Sequence, residues 1–176
     1  LTGVTGVDYG TTLPILIFFD MDNTEDSSFN IESAEFNYKV NEITATDKTV
    51  SGWHNNGGSA YTVTENTDGT VDVTKKAGGG WDTLRVDVTG AELANMTSFK
   101  ITLSGVKDKN VIVKPFDKVE SKLEPATQDE VTITVDLTQV KDVDFNTVLP
   151  VLIFFDWDNQ TDVSFKIVSA EFVAAQ

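Results

Sequence analysis

Two aspartates stand two residues apart in "DWDNQTD" (156–162), and an asparagine and a further aspartate follow, Asn159 and Asp162. Carboxylates in pairs do two kinds of chemistry. As acid and base or nucleophile they cleave glycosides, at separations of roughly 5–9.5 Å. Asp156 and Asp158 are i, i+2 neighbours on one face, roughly 6.5–7 Å apart along a strand. That distance is permissive, but such spacing is common in an acidic chain. Oxygen ligands at alternate positions also suit Ca²⁺, which takes about 6–8 of them. The segment lacks the central Gly and distal Glu of an EF-hand loop, so a solvated turn whose Asp and Asn side chains satisfy their own backbone is the better reading. His54 is the chain's one histidine and there is no cysteine. Nucleophilic triads and thiolate metal sites therefore have no sequence support, and no enzymatic activity is expected.

A second kind of chemistry belongs to the tryptophans. Trp81 follows three glycines, Gly78 to Gly80, which let the backbone turn and hold the ring outward. An exposed indole offers a flat apolar face, and a sugar ring has an apolar C–H face to lie on it. Packing in the core is the competing reading for Trp81. For Trp53 packing outweighs ligand contact, because an indole buries a large area. Trp157 aligns with Met21 in an internal repeat, which suits a peripheral apolar contact.

That repeat is gapless. Residues 1–36 and 137–172 are identical at 23 of 36 positions, with a constant offset of 136. The period is too long for a solenoid unit of about 20–50 residues and matches a whole domain. Residues 37–176 thus read as one complete module, and 1–36 as the C-terminal part of a preceding homologous repeat within a longer tandem protein. The Ile- and Phe-rich segments 13–19 and 28–36 are expected to form an extra N-terminal β-hairpin, which needs something to pack on.

The formal charge of −15 comes from 28 acidic and 13 basic residues. Such a surface disfavours nucleic acid and anionic lipid, which need clustered Lys and Arg. No run approaches the roughly 20 apolar residues of a membrane helix. Period-two alternation of Val, Ile, Thr and Phe dominates, with strands expected in "AYTVTEN", "TVDVTKK", "WDTLRVDV" (81–88), "SFKITLSG" (98–105), "NVIVKPF" (110–116), "VTITVDL" (131–137), "PVLIFFD" (150–156) and "SFKIVSAEF" (164–172). The intervening "TDG" signals a hairpin. Residues 36–43 join the repeats, and "GAELANM" (90–96) suits one helical turn. The fold class is all-β, an antiparallel β-sandwich of jelly-roll type.

Alternation also sorts the faces. Leu84, Val86, Val88, Val111, Val113, Val151, Ile153 and Phe155 fall on core faces. Trp81, Thr83, Arg85 and Asp87 point the other way, as do Ile112, Lys114 and Phe116, and as do Leu152, Phe154, Asp156 and Asp158. One dry face and one mixed face is what a ligand groove requires. Arg85 and Lys114 enter the candidate site on this ground alone.

The stretch "SGWHNNGGSAYTVTENTDGTVDVTKKAGGGWDTLRVDVTG" and the closing "LPVLIFFDWDN…SFKIVSAEF" resemble carbohydrate-binding modules of families 4, 16 and 22. The pattern is a Gly-Trp opening, a Val/Thr hairpin, a short loop with Trp and strand, and an aromatic-x-acid strand before a final strand bearing a carboxylate. It spans about 50–176. The resemblance implies a galactose-binding-like jelly roll that binds polysaccharide or oligosaccharide without catalysis. It further implies a place beside neighbouring modules in a secreted or cell-surface bacterial glycoside hydrolase. Carried over residue by residue, it makes Trp81 a stacking platform and Phe154 and Asp156 the aromatic-x-acid pair, where family 22 often has Tyr and Glu. His54, Asn55 and Asn56 match a ligand-contacting loop that in the family carries a polar or Arg side chain, and no Arg stands there. A structural Ca²⁺ in related modules would implicate Glu171. The expected ligand is a neutral β-glucan or xylan-like chain. The alternative is a structural or adhesive repeat of a bacterial surface protein with no sugar site. An exposed Trp81 beside Asp156 favours the first and a buried Trp81 the second.

Overall fold

A computed structural model describes residue 31 and residues 46–123 and 125–174. The hairpin expected at 13–19 and 28–36 and the joining segment 36–43 lie outside the described residues, Ile31 apart. The chain divides into two compact units, Leu1–Asn41 and Glu42–Gln176. The architecture below is that of the second.

Eleven strands are described: β1 (Lys48–Thr49), β2 (His54–Asn55), β3 (Tyr61–Glu65), β4 (Val71–Lys75), β5 (Leu84–Val88), β6 (Met96–Ser104), β7 (Val111–Pro115), β8 (Ser121–Leu123), β9 (Glu130–Asp136), β10 (Leu149–Phe155) and β11 (Val163–Ala174). A short 3-10 helix, Ala91–Asn95, fills the turn expected at 90–96. One sheet has the order β3-β4-β11-β6-β9, with β1 on β11, and the other the order β2-β5-β10-β7-β8. All pairings are antiparallel. The pairs β4–β11, β5–β10, β6–β9 and β7–β8 are those of one long hairpin wrapped around a barrel-like core. This is the jelly-roll topology, and the all-β sandwich expected from the sequence is the fold.

The alternating apolar residues explain the pleat. Leu84, Val86, Val88, Val111, Val113, Val151, Ile153 and Phe155 are all buried in the common core. Phenylalanines cross it: Phe155 meets Phe165 with ring centroids 4.1 Å apart, and Phe116 stacks on Phe172 at 5.4 Å. Trp53 is buried among them. The β3–β4 hairpin turns at Asp68-Gly69, where Gly69 has φ 85. The Asp68 carboxylate accepts the Thr70 N–H at 3.0 Å and hydroxyl at 2.7 Å, and these bonds hold its pKa below the ordinary value.

Two face assignments need correction. Phe116 points into the core, not outward with Ile112 and Lys114, because β7 ends at Pro115 and Phe116 takes φ 58. Asp156 does not continue β10: the strand ends at Phe155, Asp156 takes φ 41, and Asn159 N–H closes a turn onto its carbonyl at 3.0 Å. The left-handed residue breaks the period-two alternation in each case, so Asp156 and Asp158 are not strand neighbours on one face.

Candidate functional site

Three rings gather at one end of the outward face of the β2-β5-β10-β7-β8 sheet. Trp81 is 62% exposed. Its indole lies on that of Trp157 with centroids 4.9 Å apart and planes 9° from parallel. Phe154 meets Trp81 edge-on at 6.0 Å and 69°. The Lys122 ammonium sits 5.7 Å from the Trp157 ring centre, in cation–π geometry.

The strand register extends this surface. Phe154 on β10 is opposite Ile112 on β7, which is opposite Lys122 on β8. One step along, His54, Arg85, Leu152 and Lys114 form a single transverse row across β2, β5, β10 and β7. Leu152 and Ile112 are buried yet stand outside the core cluster, so they form an apolar floor on the outer face.

Polar groups flank that floor. Arg85 Nε donates to Asp87 Oδ1 at 2.6 Å, and Nη1 donates to Asn56 Oδ1 at 3.1 Å. Asn56 Nδ2 in turn donates to Thr83 Oγ1 at 2.9 Å. Two of the five guanidinium donors are thereby engaged and the planar fork is held in place. His54 Nε2 lies 3.5 Å from Asp87 Oδ2. On the far side Lys114 pairs with Asp117 at 2.7 Å, a bond that raises the lysine's pKa. Flat rings, an apolar floor and fixed donors and acceptors can hold an uncharged polyhydroxylated chain: C–H faces on the rings, hydroxyls on the edges.

The loops that carry the two indoles are tied together. Gly78 and Gly80 have φ 72 and 50, a conformation that favours glycine. A Cβ on Gly79 would lie 2.9 Å from the Ala60 Cβ and 3.0 Å from the Lys75 Cε. Asn159 Nδ2 donates to the Lys76 carbonyl, and Asp162 Oδ1 accepts the Ala77 N–H, both at 2.9 Å. Gly78 N–H donates to the Asn159 carbonyl at 3.1 Å. The "DWDNQTD" segment therefore bonds the neighbouring loop as well as its own backbone.

No protein-family model matches this chain, and none of the curated proteins does. Similar solved structures include carbohydrate-binding modules. One is a xylan-binding module, CBM15, at 17% identity and TM-score 0.49, covering 74% of this chain and 97% of that one. Others are variants of CBM29-2, a family 29 module. One complexed with mannohexaose and one with cellulohexaose are each 14% identical with TM-score 0.44, covering 72% of this chain and 90% and 89% of theirs.

The structure brings Trp81 and Phe154 together, and His54, Asn56 and Arg85 together. Lys114 joins their sheet face through Leu152. Asp156 is largely buried, its carboxylate 3.0 Å from Lys109 Nζ. Glu171 stands on β11 between Thr49 and Lys100. Among the described residues no three His, Cys, Asp or Glu side chains converge. Trp157 and Lys75 are the residues sequence reasoning undervalued. Lys75 is fully buried, and an i+2 spacing from Val71 and Val73 was its only signal.

Proposed function

We propose that the module is a non-catalytic glycan-binding module. It takes a neutral β-linked glucan or xylan-like chain along the Trp81–Phe154 face. The observation that carries this reading is the exposed indole of Trp81, stacked parallel on Trp157 and met edge-on by Phe154. A protein that only spaces or adheres has no need to hold a tryptophan in water on a glycine turn. The tandem arrangement legible in the 136-residue repeat would multiply weak sites on one polymer by raising effective concentration. A place in a secreted bacterial glycoside hydrolase fits a module that delivers a chain to a catalytic partner. The −15 charge weighs against uronate-rich polymers. Affinity electrophoresis through soluble xylan, soluble β-glucan and polygalacturonate tests the reading. Retardation by a neutral polymer is expected; retardation by polygalacturonate alone contradicts it.

A further inference from the structure

Lys75 closes β4 with its side chain turned inward, and it is 0% exposed. Burial depresses its pKa, opposed by the more distant charges of Asp156, Asp82 and Asp158. A buried ammonium is costly unless its donors are satisfied. Here all three go to backbone carbonyls: Gly80 at 2.7 Å, Phe155 at 2.7 Å and Asp156 at 3.4 Å. Its ammonium also lies over the Tyr61 ring, 5.8 Å from the ring centre.

The identity of those carbonyls is what matters. The Gly80 carbonyl belongs to the peptide unit that leads into Trp81. The Asp156 carbonyl belongs to the unit that leads into Trp157. The Phe155 carbonyl ends the strand that carries Phe154. One cation thus grips the backbone immediately before each of the two stacked indoles, from the side opposite solvent. The close approach of Gly79 to the Lys75 Cε shows that the glycine run admits the lysine as well as the turn. Tyr61 assists from the same strand pair, donating its hydroxyl to the Asp82 carbonyl at 3.1 Å, on the other flank of Trp81.

We infer that Lys75 is a positioning residue for the aromatic surface: its ammonium sets the spacing and parallel alignment of Trp81 and Trp157. Methionine, uncharged and one atom shorter than lysine, fills most of the space but offers the three carbonyls no donor. The bonds of Asn159, Asp162 and Gly78 between the loops remain, but the peptide units before the two indoles lose their shared donor and the rings lose their register. The consequence for binding rests on the glycan reading above; the consequence for the stack does not.

The test uses the full chain. Two parallel indoles at this distance couple their transitions, so wild type should show an indole exciton couplet in circular dichroism, removed by Trp81→Phe. Lys75→Met should lose the couplet while keeping a β-sheet spectrum and a cooperative melt. Its affinity for soluble xylan should fall about tenfold or more, as for loss of a stacked face. A folded Lys75→Met with a wild-type couplet overturns the inference, as does undiminished xylan affinity in a variant that has lost it. If wild type binds neither soluble xylan nor soluble β-glucan, the glycan reading falls and the couplet still decides the role of Lys75. If Lys75→Met does not fold, the wild-type ammonium answers by NMR. Slowly exchanging Nζ protons coupled through hydrogen bonds to the Gly80 and Phe155 carbonyl carbons are expected, and a freely exchanging ammonium overturns the proposal.

Discussion

The Trp157 indole lies flat on that of Trp81, 4.9 Å away and 9° from parallel, although 76 residues of sequence separate them. Neither ring is in the core cluster. The pair is held by its backbone rather than by burial, so its parts can be altered without removing the fold's support.

Trp157→Met places in this module the residue that its aligned earlier copy carries at Met21. The stacked partner is lost but the Trp81 ring remains. Glycan affinity should weaken by roughly 0.5–1.5 kcal/mol, the worth of an aromatic pair, with little change in melting temperature. Calorimetric titration with soluble xylan measures the first and a thermal melt the second. A large fall in melting temperature would place Trp157 in the structural core.

Phe155→Ala tests the opposite case. Phe155 is fully buried against Phe165, one residue from the site but on the inner face. Its truncation should cost about 3–5 kcal/mol, a large share of the roughly 5–15 kcal/mol that holds such a domain. Urea unfolding reads the loss. A cost below about 1 kcal/mol would show that the inner face of β10 tolerates a cavity and that the face assignment is wrong.

Alkaline pH gives a signed prediction. Burial pushes the Tyr61 phenol far above its ordinary 10.0. Above that value the unfolded chain sheds a proton that the folded chain keeps, so this residue's contribution to stability is present below pH 10 and is lost as pH rises. The slope is about 1.4 kcal/mol per pH unit. Lys75 acts in the other sense: its depressed pKa makes stability rise with pH up to its ordinary 10.5. The difference between wild type and Tyr61→Phe isolates the phenol. Urea melts between about pH 8 and pH 11 should show that difference shrinking above pH 10. Tyr61→Phe starts about 1 kcal/mol less stable through loss of the bond to Asp82. A difference independent of pH would mean that the phenol is not buried.

The strand faces were legible where apolar and polar residues alternate, as in β4, β5 and β9, whereas β7 and β10 carry consecutive apolar residues. Strands β1, β2 and β8 have only two or three residues, too few for a period to show. Trp81 was legible from the three glycines before it. Phe116 and Asp156 were misassigned because a single left-handed residue ends the alternation, and neither is a glycine that would announce it. Lys75 was hidden by its charge. A lysine at a strand end reads as solvated, and only the meeting of three carbonyls from two distant loops shows why it is buried.

Trp81→Ala, titrated calorimetrically with soluble xylan or a neutral gluco-oligosaccharide, tests the central claim most directly. The ring is 62% exposed, so its loss leaves no core cavity, and the melting temperature should stay within a few degrees of wild type. A glycan site of millimolar to micromolar affinity has roughly −4 to −8 kcal/mol to spend. Losing about 1–3 kcal/mol of stacking, by analogy with base–aromatic contacts, should weaken binding roughly 5- to 150-fold. Wild-type affinity in the folded variant would contradict the account. So would a melting temperature about ten degrees lower with binding intact, which would make Trp81 a structural residue and the module a spacer or adhesive repeat.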